Sequence, residues 1–101
     1  MSDQNEGVTI THENHGDGGK YVATVPGEEV TGYLEWEPSG DNVRVATHTI
    51  VPPAIGGRGI AGMLVDQLIE DARRQGFKVV PQCSYVTAKF DRNPDWTDLR
   101  A

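Results

Sequence analysis

The hydrophobic residues of this sequence change their spacing halfway along the chain, and this change limits the folds available to it. Before Pro52-Pro53, apolar and polar side chains alternate, as in residues 30–36, which is typical of half-buried β-strands. After the two prolines, apolar side chains recur every four positions, which is typical of an amphipathic helix. These are Ile60, Leu64, Leu68 and Ala72. The pattern predicts an α+β fold with a β-rich first half.

Four strand-like runs make up the first half, at about residues 8–13, 21–25, 30–36 and 43–51. Turns rich in glycine or proline separate them, among them a turn over residues 15–19. Turns this short join antiparallel strands, because a parallel crossover needs a dozen or more residues. The four runs therefore predict an antiparallel meander.

The second half predicts a helix followed by one more strand. The helix, about 15 residues long, begins near Ile60 and ends before Gly76, since glycine is favoured just beyond a helix C-terminus. Its polar residues, Asp71 among them, fall largely on the side away from the apolar stripe. Residues 78–83 form a fifth strand, which a right-handed crossover places parallel to the fourth. Residues 84–101 complete the fold as one or two short helices.

The length of 101 residues is that of one domain. We expect this domain to span residues 8–101 and a flexible N-terminal tail to cover residues 1–7. No apolar run approaches the roughly 20 residues of a membrane-spanning helix, and the polar N-terminus lacks the pattern of a signal peptide. The single cysteine, Cys83, excludes an internal disulfide. We therefore expect a cytoplasmic protein without a membrane partner.

The formal net charge of −6 bears on the kind of partner. It disfavours nucleic acid, because binding to phosphates depends on clustered lysine and arginine. It favours encounter with cationic molecules such as lysine side chains or polyamines. An acidic surface also serves solubility alone, so the charge by itself does not identify a partner.

Residues 56–62 join the fourth strand to the helix and contain four glycines. Glycine lets the backbone approach a ligand closely, and the first turn of a helix leaves its amide hydrogens unpaired. Together with the helix dipole and Arg58, this segment predicts a site for a phosphate or pyrophosphate. A tight turn without a ligand needs the same glycines, so that alternative stays open. The spacing fits neither a triphosphate P-loop nor the dinucleotide fingerprint of a parallel sheet.

His48 and Cys83 lie near the ends of the fourth and fifth strands and are the candidate catalytic residues. The carboxyl ends of neighbouring parallel strands can face one cleft, where open sheets bind ligands. Imidazole exchanges protons near neutral pH, and a thiol acts as a nucleophile or a proton donor. The ordinary alternatives are a hydrogen-bonded strand histidine and a small buried cysteine. Whether the two side chains share a face depends on strand register, which a shift of one residue inverts.

The sequence predicts no metal site. His12 and His15 are three residues apart, and such positions on a strand point to opposite faces. No other group of cysteine, histidine and carboxylate residues has the spacing of metal ligands.

Four blocks of the sequence together resemble one protein family. They are residues 47–53 (THTIVPP), 57–61 (GRGIA), 81–86 (PQCSYV) and 93–99 (NPDWTDL). In this order and spacing they resemble the small single-domain YjdJ-like branch of the GNAT superfamily of acetyl-CoA-dependent N-acetyltransferases. The resemblance covers nearly the whole chain. It implies a GNAT-like fold in which strands four and five are parallel but splayed apart.

The resemblance implies an acetyl-CoA site at the glycine-rich segment. The superfamily motif that binds the CoA pyrophosphate through backbone amides would align on Gly56, Gly57, Arg58, Gly59, Ile60 and Ala61. The first of these positions usually holds arginine or glutamine in the superfamily. Its replacement by Gly56 removes one side chain and leaves the amides, which predicts weakened rather than lost binding.

The resemblance also implies where the rest of the cofactor and the chemistry would lie. The pantetheine arm would pair with the backbone at the end of strand four, at Thr49, Ile50 and Val51. His48 and Cys83 match active-site candidates of the branch. Two further residues, Tyr85 and Lys89, would lie near the cofactor.

The activity implied is transfer of an acetyl group to a primary amine. The branch lacks two helices with which other members help to bind the acceptor, and this sequence lacks them too, so we expect an open site. An exposed protein lysine or a polyamine is the expected acceptor, and a monomer or weak dimer the expected assembly. His48 would remove the amine proton, and Cys83 would act as an acid or carry the acetyl group covalently. Two alternatives stay open, a non-enzymatic acyl-CoA-binding or regulatory module and a small interaction domain without a ligand.

Overall fold

In a computed structural model of the chain, residues 7–101 are described and fold around one five-stranded sheet. The strands follow one another across the sheet in chain order: β1 (Thr9–His15), β2 (Gly18–Thr24), β3 (Thr31–Pro38), β4 (Val43–Ile50) and β5 (Lys78–Pro81). Strands β1 to β4 pair antiparallel, and β4 and β5 pair parallel. The predicted α+β fold is confirmed. Of the predicted tail, all but Gly7 lies outside the described residues.

Two α-helices and two 3₁₀ segments complete the fold. Helix α1 (Ile60–Gln75) connects β4 to β5, and helix α2 (Ser84–Asp91) follows β5. The 3₁₀ segments cover Pro53–Ile55 and Pro94–Leu99. Beyond the second one, Arg100 forms a parallel bridge with Val79 and so lies along the outer edge of β5. None of the described helices has the length and apolar character needed to cross a membrane.

The core lies between α1 and one face of the sheet. Side chains that alternate along β2 and β3, such as Tyr21, Leu34 and Trp36, are buried against Leu64 and Leu68 of α1. The opposite face, here called the open face, carries the alternate residues, which are half-buried or exposed. They include Lys20, Val22, Tyr33, Glu35 and His48. The sheet therefore has a helix-covered face and an open face.

Two predicted boundaries differ from the structure. The turn expected over residues 15–19 is shorter, because β1 continues through His15 and β2 begins at Gly18. The fifth strand ends at Pro81 and not at Cys83. The amide of Cys83 donates to the carbonyl of Ala46, which already accepts from Gln82, so the chain leaves the ladder and Cys83 precedes the first turn of α2. Helix α1 ends as expected, at Gly76 with a φ of 84°.

A buried carboxylate on α1 ties the helix to the sheet. The sequence pattern placed Asp71 on the outer side of α1, and this was wrong, since the residue is only 4% exposed. Its carboxylate accepts hydrogen bonds from Tyr21 at 2.8 Å, from Gln67 at 3.2 Å and from Arg74. Arg44 on β4 in turn donates to the Tyr21 hydroxyl at 3.2 Å. These donors offset the cost of burying a charge and fix α1 against β2 and β4.

His12 packs on this network in its neutral form. Its ring stacks on Tyr21 with centroids 4.4 Å apart, and its Nε2 accepts a hydrogen bond from Trp36 at 3.0 Å. Burial lowers the pKa of His12 below its usual 6.5, the charge of Arg44 lowers it further, and the charge of Asp71 partly offsets both. Protonation would remove the acceptor for Trp36 and bring a second cation close to Arg44.

We expect the free energy of unfolding to depend on pH through His12. With the pKa lower in the folded than in the unfolded protein, stability is complete above pH 6.5 and falls as the pH drops toward the folded pKa. One proton changes the free energy of unfolding by at most about 1.4 kcal/mol per pH unit. Urea unfolding of the wild type and of His12→Gln between pH 7.5 and 5 measures this, and the variant should show the shallower decline. Identical declines would contradict the assignment.

Candidate active site

The pairing of β4 with β5 stops before β4 ends. Four residue pairs join the strands, from Val43 with Lys78 to Ala46 with Pro81, whereas β4 continues to Ile50. The carbonyl of Ala46 accepts hydrogen bonds from the amides of Gln82 at 3.2 Å and Cys83 at 3.0 Å, and the chain then enters α2. Within the described residues, the β5-facing edge of β4 beyond Ala46 therefore has no strand partner. Its backbone groups are open to a ligand in extended conformation.

A β-bulge on the other edge of β4 decides which way its last residues point. Thr47 is the extra residue, because Trp36 pairs with Ala46 and Glu35 pairs with His48. The Thr47 hydroxyl donates to the carbonyl of Glu35 at 3.2 Å. After the bulge, His48 points to the open face beside Glu35, and Thr49 points to the helix-covered face beside Leu34. Without it, the two side chains would exchange faces.

Cys83 lies at the start of α2 and contacts the end of β4. Its half-buried thiol donates to the hydroxyl of Thr49 over 3.5 Å. Burial raises the pKa of this thiol, but hydrogen bonds to its sulfur from the Thr49 side chain and from the amides of Val86, Tyr85 and Thr49 outweigh burial. The net pKa is lowered, because these donors stabilise the thiolate.

His48 lies at the same end of β4, but on the open face. Its side chain is 68% exposed, and its Nδ1 lies 3.6 Å from a carboxylate oxygen of Glu35. The structure therefore does not bring the side chains of His48 and Cys83 into contact. They flank the free edge of β4 from opposite faces of the sheet, and Thr49, not His48, is the strand residue that meets Cys83.

The glycine-rich segment forms the start of α1. Gly57 and Gly59 have φ values of 75° and 74°, in the left-handed region that other residues avoid. Gly59 is the N-cap of α1, and the amide of Met63 donates to its carbonyl at 3.1 Å. The amides of the first turn, residues 60–62, precede this first bond and have no partner within the helix. At the N-terminus of a 16-residue helix they form a positively polarised end suited to an anion.

Charged and polar side chains surround this helix start. Arg58 forms an ion pair with Glu28 at 3.3 Å. From α2, the Tyr85 hydroxyl and the Lys89 ammonium lie over Gly62, 3.5 and 3.7 Å from where a Cβ atom would be. Lys89 also lies 3.9 Å from the carboxylate of Asp66. A hydroxyl and a cation thus lie over the first turn of α1, beside the free amides, an arrangement that fits a pyrophosphate.

The remaining predicted cofactor residues lie between the free edge of β4 and the start of α1. Ile50 ends β4 with a 44% exposed side chain, and Val51 follows it, half-buried against the core. Gly56 follows the Pro53–Ile55 segment with ordinary extended backbone. A continuous path thus leads from the free edge of β4 to the N-terminus of α1. Among the described residues no three histidine, cysteine or carboxylate side chains are grouped as metal ligands.

We expect the Thr49 hydroxyl to control the reactivity of Cys83. In Thr49→Val the thiolate loses one hydrogen bond while the backbone donors remain, so the thiol pKa should rise and alkylation at pH 7 should slow severalfold. Because Cys83 is the single cysteine, the rate of iodoacetamide labelling against pH measures its pKa directly. Thr49→Ser should restore the wild-type profile, and Thr11→Val, at an exposed position on β1, should leave it unchanged. An unchanged profile in Thr49→Val would refute this role.

Comparison with known protein families agrees with this geometry. A family model described as GCN5-related N-acetyl-transferase matches residues 20–99, which is most of the chain. The match includes all but the first two residues of β2, the whole of β3 to β5, both α-helices and the glycine-rich segment. Proteins of this family generally use acetyl-CoA as the acyl donor. The resemblance to the GNAT superfamily is therefore confirmed, while the narrower YjdJ-like assignment stays a prediction. The chain belongs to the family of GCN5-related N-acetyltransferases.

Proposed function

We propose that this protein transfers the acetyl group of acetyl-CoA to a primary amine, as a member of the small single-domain YjdJ-like branch. The observation that carries the proposal is the free edge of β4, which lies between a thiol on one face of the sheet and an imidazole on the other. Bound acetyl-CoA supplies the acetyl group as an activated thioester. The chain's own residues then have to hold this donor, position the amine and move two protons.

The start of α1 and the end of β4 supply the groups that would hold acetyl-CoA. The amides of residues 57–61 would bind the pyrophosphate, and the backbone of Thr49, Ile50 and Val51 would pair with the pantetheine arm. Gly56 supplies no side chain where the superfamily usually has arginine or glutamine. Lys89 and Tyr85 on α2 reach the same helix start from the other side, and their charge and hydroxyl compensate for that loss.

His48 is the candidate general base. An aliphatic amine has a pKa of about 10.4, so at pH 7 it has to lose a proton before it can attack. With Nδ1 of His48 facing Glu35, its Nε2 is left to accept that proton from an amine on the open face. The Glu35 carboxylate, 3.6 Å away, stabilises the imidazolium that results. His48 is exposed, so water can take the proton onward.

Cys83 is the candidate proton donor on the helix-covered face. The departing CoA sulfur has to gain a proton or a positive field, and the thiol of Cys83 lies at the N-terminus of α2 beside the free edge of β4. Its lowered pKa brings it closer to neutral pH, where an acid catalyst is most effective. The amide of Thr49, which faces this sulfur, is a candidate donor to the acetyl oxygen. The donor and the acceptor would thus enter from opposite faces of the sheet.

A second candidate function is acyl-CoA binding without transfer. The observation in its favour is the separation of His48 and Cys83. Their side chains lie on opposite faces of the sheet, one beside Glu35 and the other beside Thr49, and so do not form one acid–base pair. A regulatory module would keep the cofactor groove and need no acceptor. Product formation distinguishes the two functions.

Acetylation of a panel of amines and lysine peptides, followed by mass spectrometry, tests the proposal. His48→Ala should lower kcat about a hundredfold or more and leave the Kd for acetyl-CoA nearly unchanged, because a general base acts on the amine. Cys83→Ala should slow transfer without abolishing it if the thiol serves as an acid. Complete loss in Cys83→Ala, with acetyl-CoA binding intact, would indicate a covalent acetyl-cysteine instead. Acetyl-CoA binding without any acetylated product would support the module.

A further inference from the structure

Glu28 is a carboxylate that the loop between β2 and β3 places beside the glycine-rich segment. The loop turns over Pro26 and Gly27, and the amide of Glu28 closes the turn by donating to the carbonyl of Val25 at 3.1 Å. Gly27 has a φ of 81°, as the third residue of a type II turn does, and proline is favoured just before it. Val25, the first residue of the turn, is buried in the core. The turn therefore gives Glu28 a defined position.

The carboxylate of Glu28 forms an ion pair with Arg58. Its Oε2 lies 3.3 Å from Nη2 of Arg58, and the two side chains are 30% and 36% exposed. The other ion pair near the helix start, between Lys89 and Asp66, is longer at 3.9 Å and has an exposed carboxylate. Charges that are shielded from water and salt attract each other more strongly. Arg58 is thus held by Glu28 when no other anion is near.

Arg58 is also placed to contact an anion at the start of α1. It directly precedes Gly59, the N-cap, and so belongs to the same stretch of backbone as the free amides of residues 60–62. A guanidinium is a planar fork with five donors that can bind two phosphate oxygens at once, and its contact with Glu28 occupies one terminal nitrogen. A pyrophosphate bound at these amides would therefore be a stronger partner for Arg58 than Glu28 is.

We propose that Glu28 and the pyrophosphate of acetyl-CoA compete for the guanidinium of Arg58. The inference rests on the proposed function and assigns a role to a residue outside the glycine-rich segment. Binding of the cofactor exchanges one partner of Arg58 for the other. The carboxylate of Glu28 is then left near two phosphates, and its charge opposes the bound state. Glu28 therefore weakens cofactor binding and promotes the departure of CoA after transfer.

Calorimetric titration of the wild type and of Glu28→Gln tests the proposal. The variant keeps the size of the side chain and removes its charge, so acetyl-CoA and CoA should each bind about fivefold more tightly. The rate of CoA release, measured by stopped-flow displacement, should fall by a similar factor. Glu29→Gln, which removes the same charge from the exposed neighbouring position, is the matched control and should leave both affinities unchanged.

A second background distinguishes competition for Arg58 from simple repulsion of the cofactor. In Arg58→Gln the guanidinium is absent, so the gain from adding Glu28→Gln should fall to about twofold or less. A fivefold gain that persists in this background would mean that Glu28 acts on the phosphates directly, and it would overturn the proposal. Unchanged or weaker acetyl-CoA binding by Glu28→Gln alone would overturn it as well.

Inorganic pyrophosphate, titrated into the same variants, separates this proposal from the proposed function. It carries the charge that Arg58 would meet and needs neither the pantetheine arm nor an acceptor. If no variant binds acetyl-CoA but pyrophosphate binds more tightly to Glu28→Gln, the proposed function is refuted and the competition is supported. Equal acetyl-CoA affinities of the wild type and Glu28→Gln refute the competition alone. If neither ligand binds to either protein, both proposals are refuted.

Discussion

The candidate site depends on the carbonyl of Ala46, which accepts two amide hydrogens from β5's end and closes its pairing with β4. With the amides of Gln82 and Cys83 both bonded to this one carbonyl, the chain no longer advances along β4, and it turns into α2 two residues after Pro81. The Thr87 hydroxyl donates to the carbonyls of Pro81 at 2.7 Å and Cys83 at 3.1 Å and holds this turn. The end of the β4–β5 pairing at Ala46 leaves the edge of β4 free and places Cys83 beside Thr49. It also brings α2 close to the start of α1.

The buried carboxylate of Asp71 keeps the other half of the site in place. Removing one partner of a buried charge costs about 3–5 kcal/mol, so α1 is held firmly to β2 and β4 through Tyr21 and Arg44. The Arg44 guanidinium also lies between the rings of Trp36 and Phe77, 4.0 Å from each centroid. Because α1 is rigidly placed, the amides at its N-terminus point at a fixed position relative to β4. A preorganised anion site loses less free energy on binding its ligand.

Much of this architecture could be predicted from the sequence, because it rests on local patterns. The alternation of apolar and polar residues and the short turns predicted the strands. The four-residue spacing predicted α1, and Gly76 predicted where that helix ends. The bulge at Thr47 could not be predicted, since any residue can be the extra one, yet it decides the faces of His48 and Thr49. The burial of Asp71 could not be predicted, because a buried carboxylate is stable only with partners such as Tyr21 that are distant in the sequence. The contact between Thr49 and Cys83 joins residues 34 apart and depends on where β5 ends.

The central claim is that the start of α1 and the free edge of β4 together form an acetyl-CoA groove. Calorimetric titration of acetyl-CoA into the wild type, Ala61→Glu and Ala61→Gln tests it most directly. A glutamate in the first turn favours the helix, so the variant should fold, but its charge opposes a pyrophosphate at the same amides. Saturable binding by the wild type and by Ala61→Gln, lost or at least tenfold weaker in Ala61→Glu, is the predicted result. No binding by the wild type at millimolar acetyl-CoA, or equal binding by all three, would contradict the account.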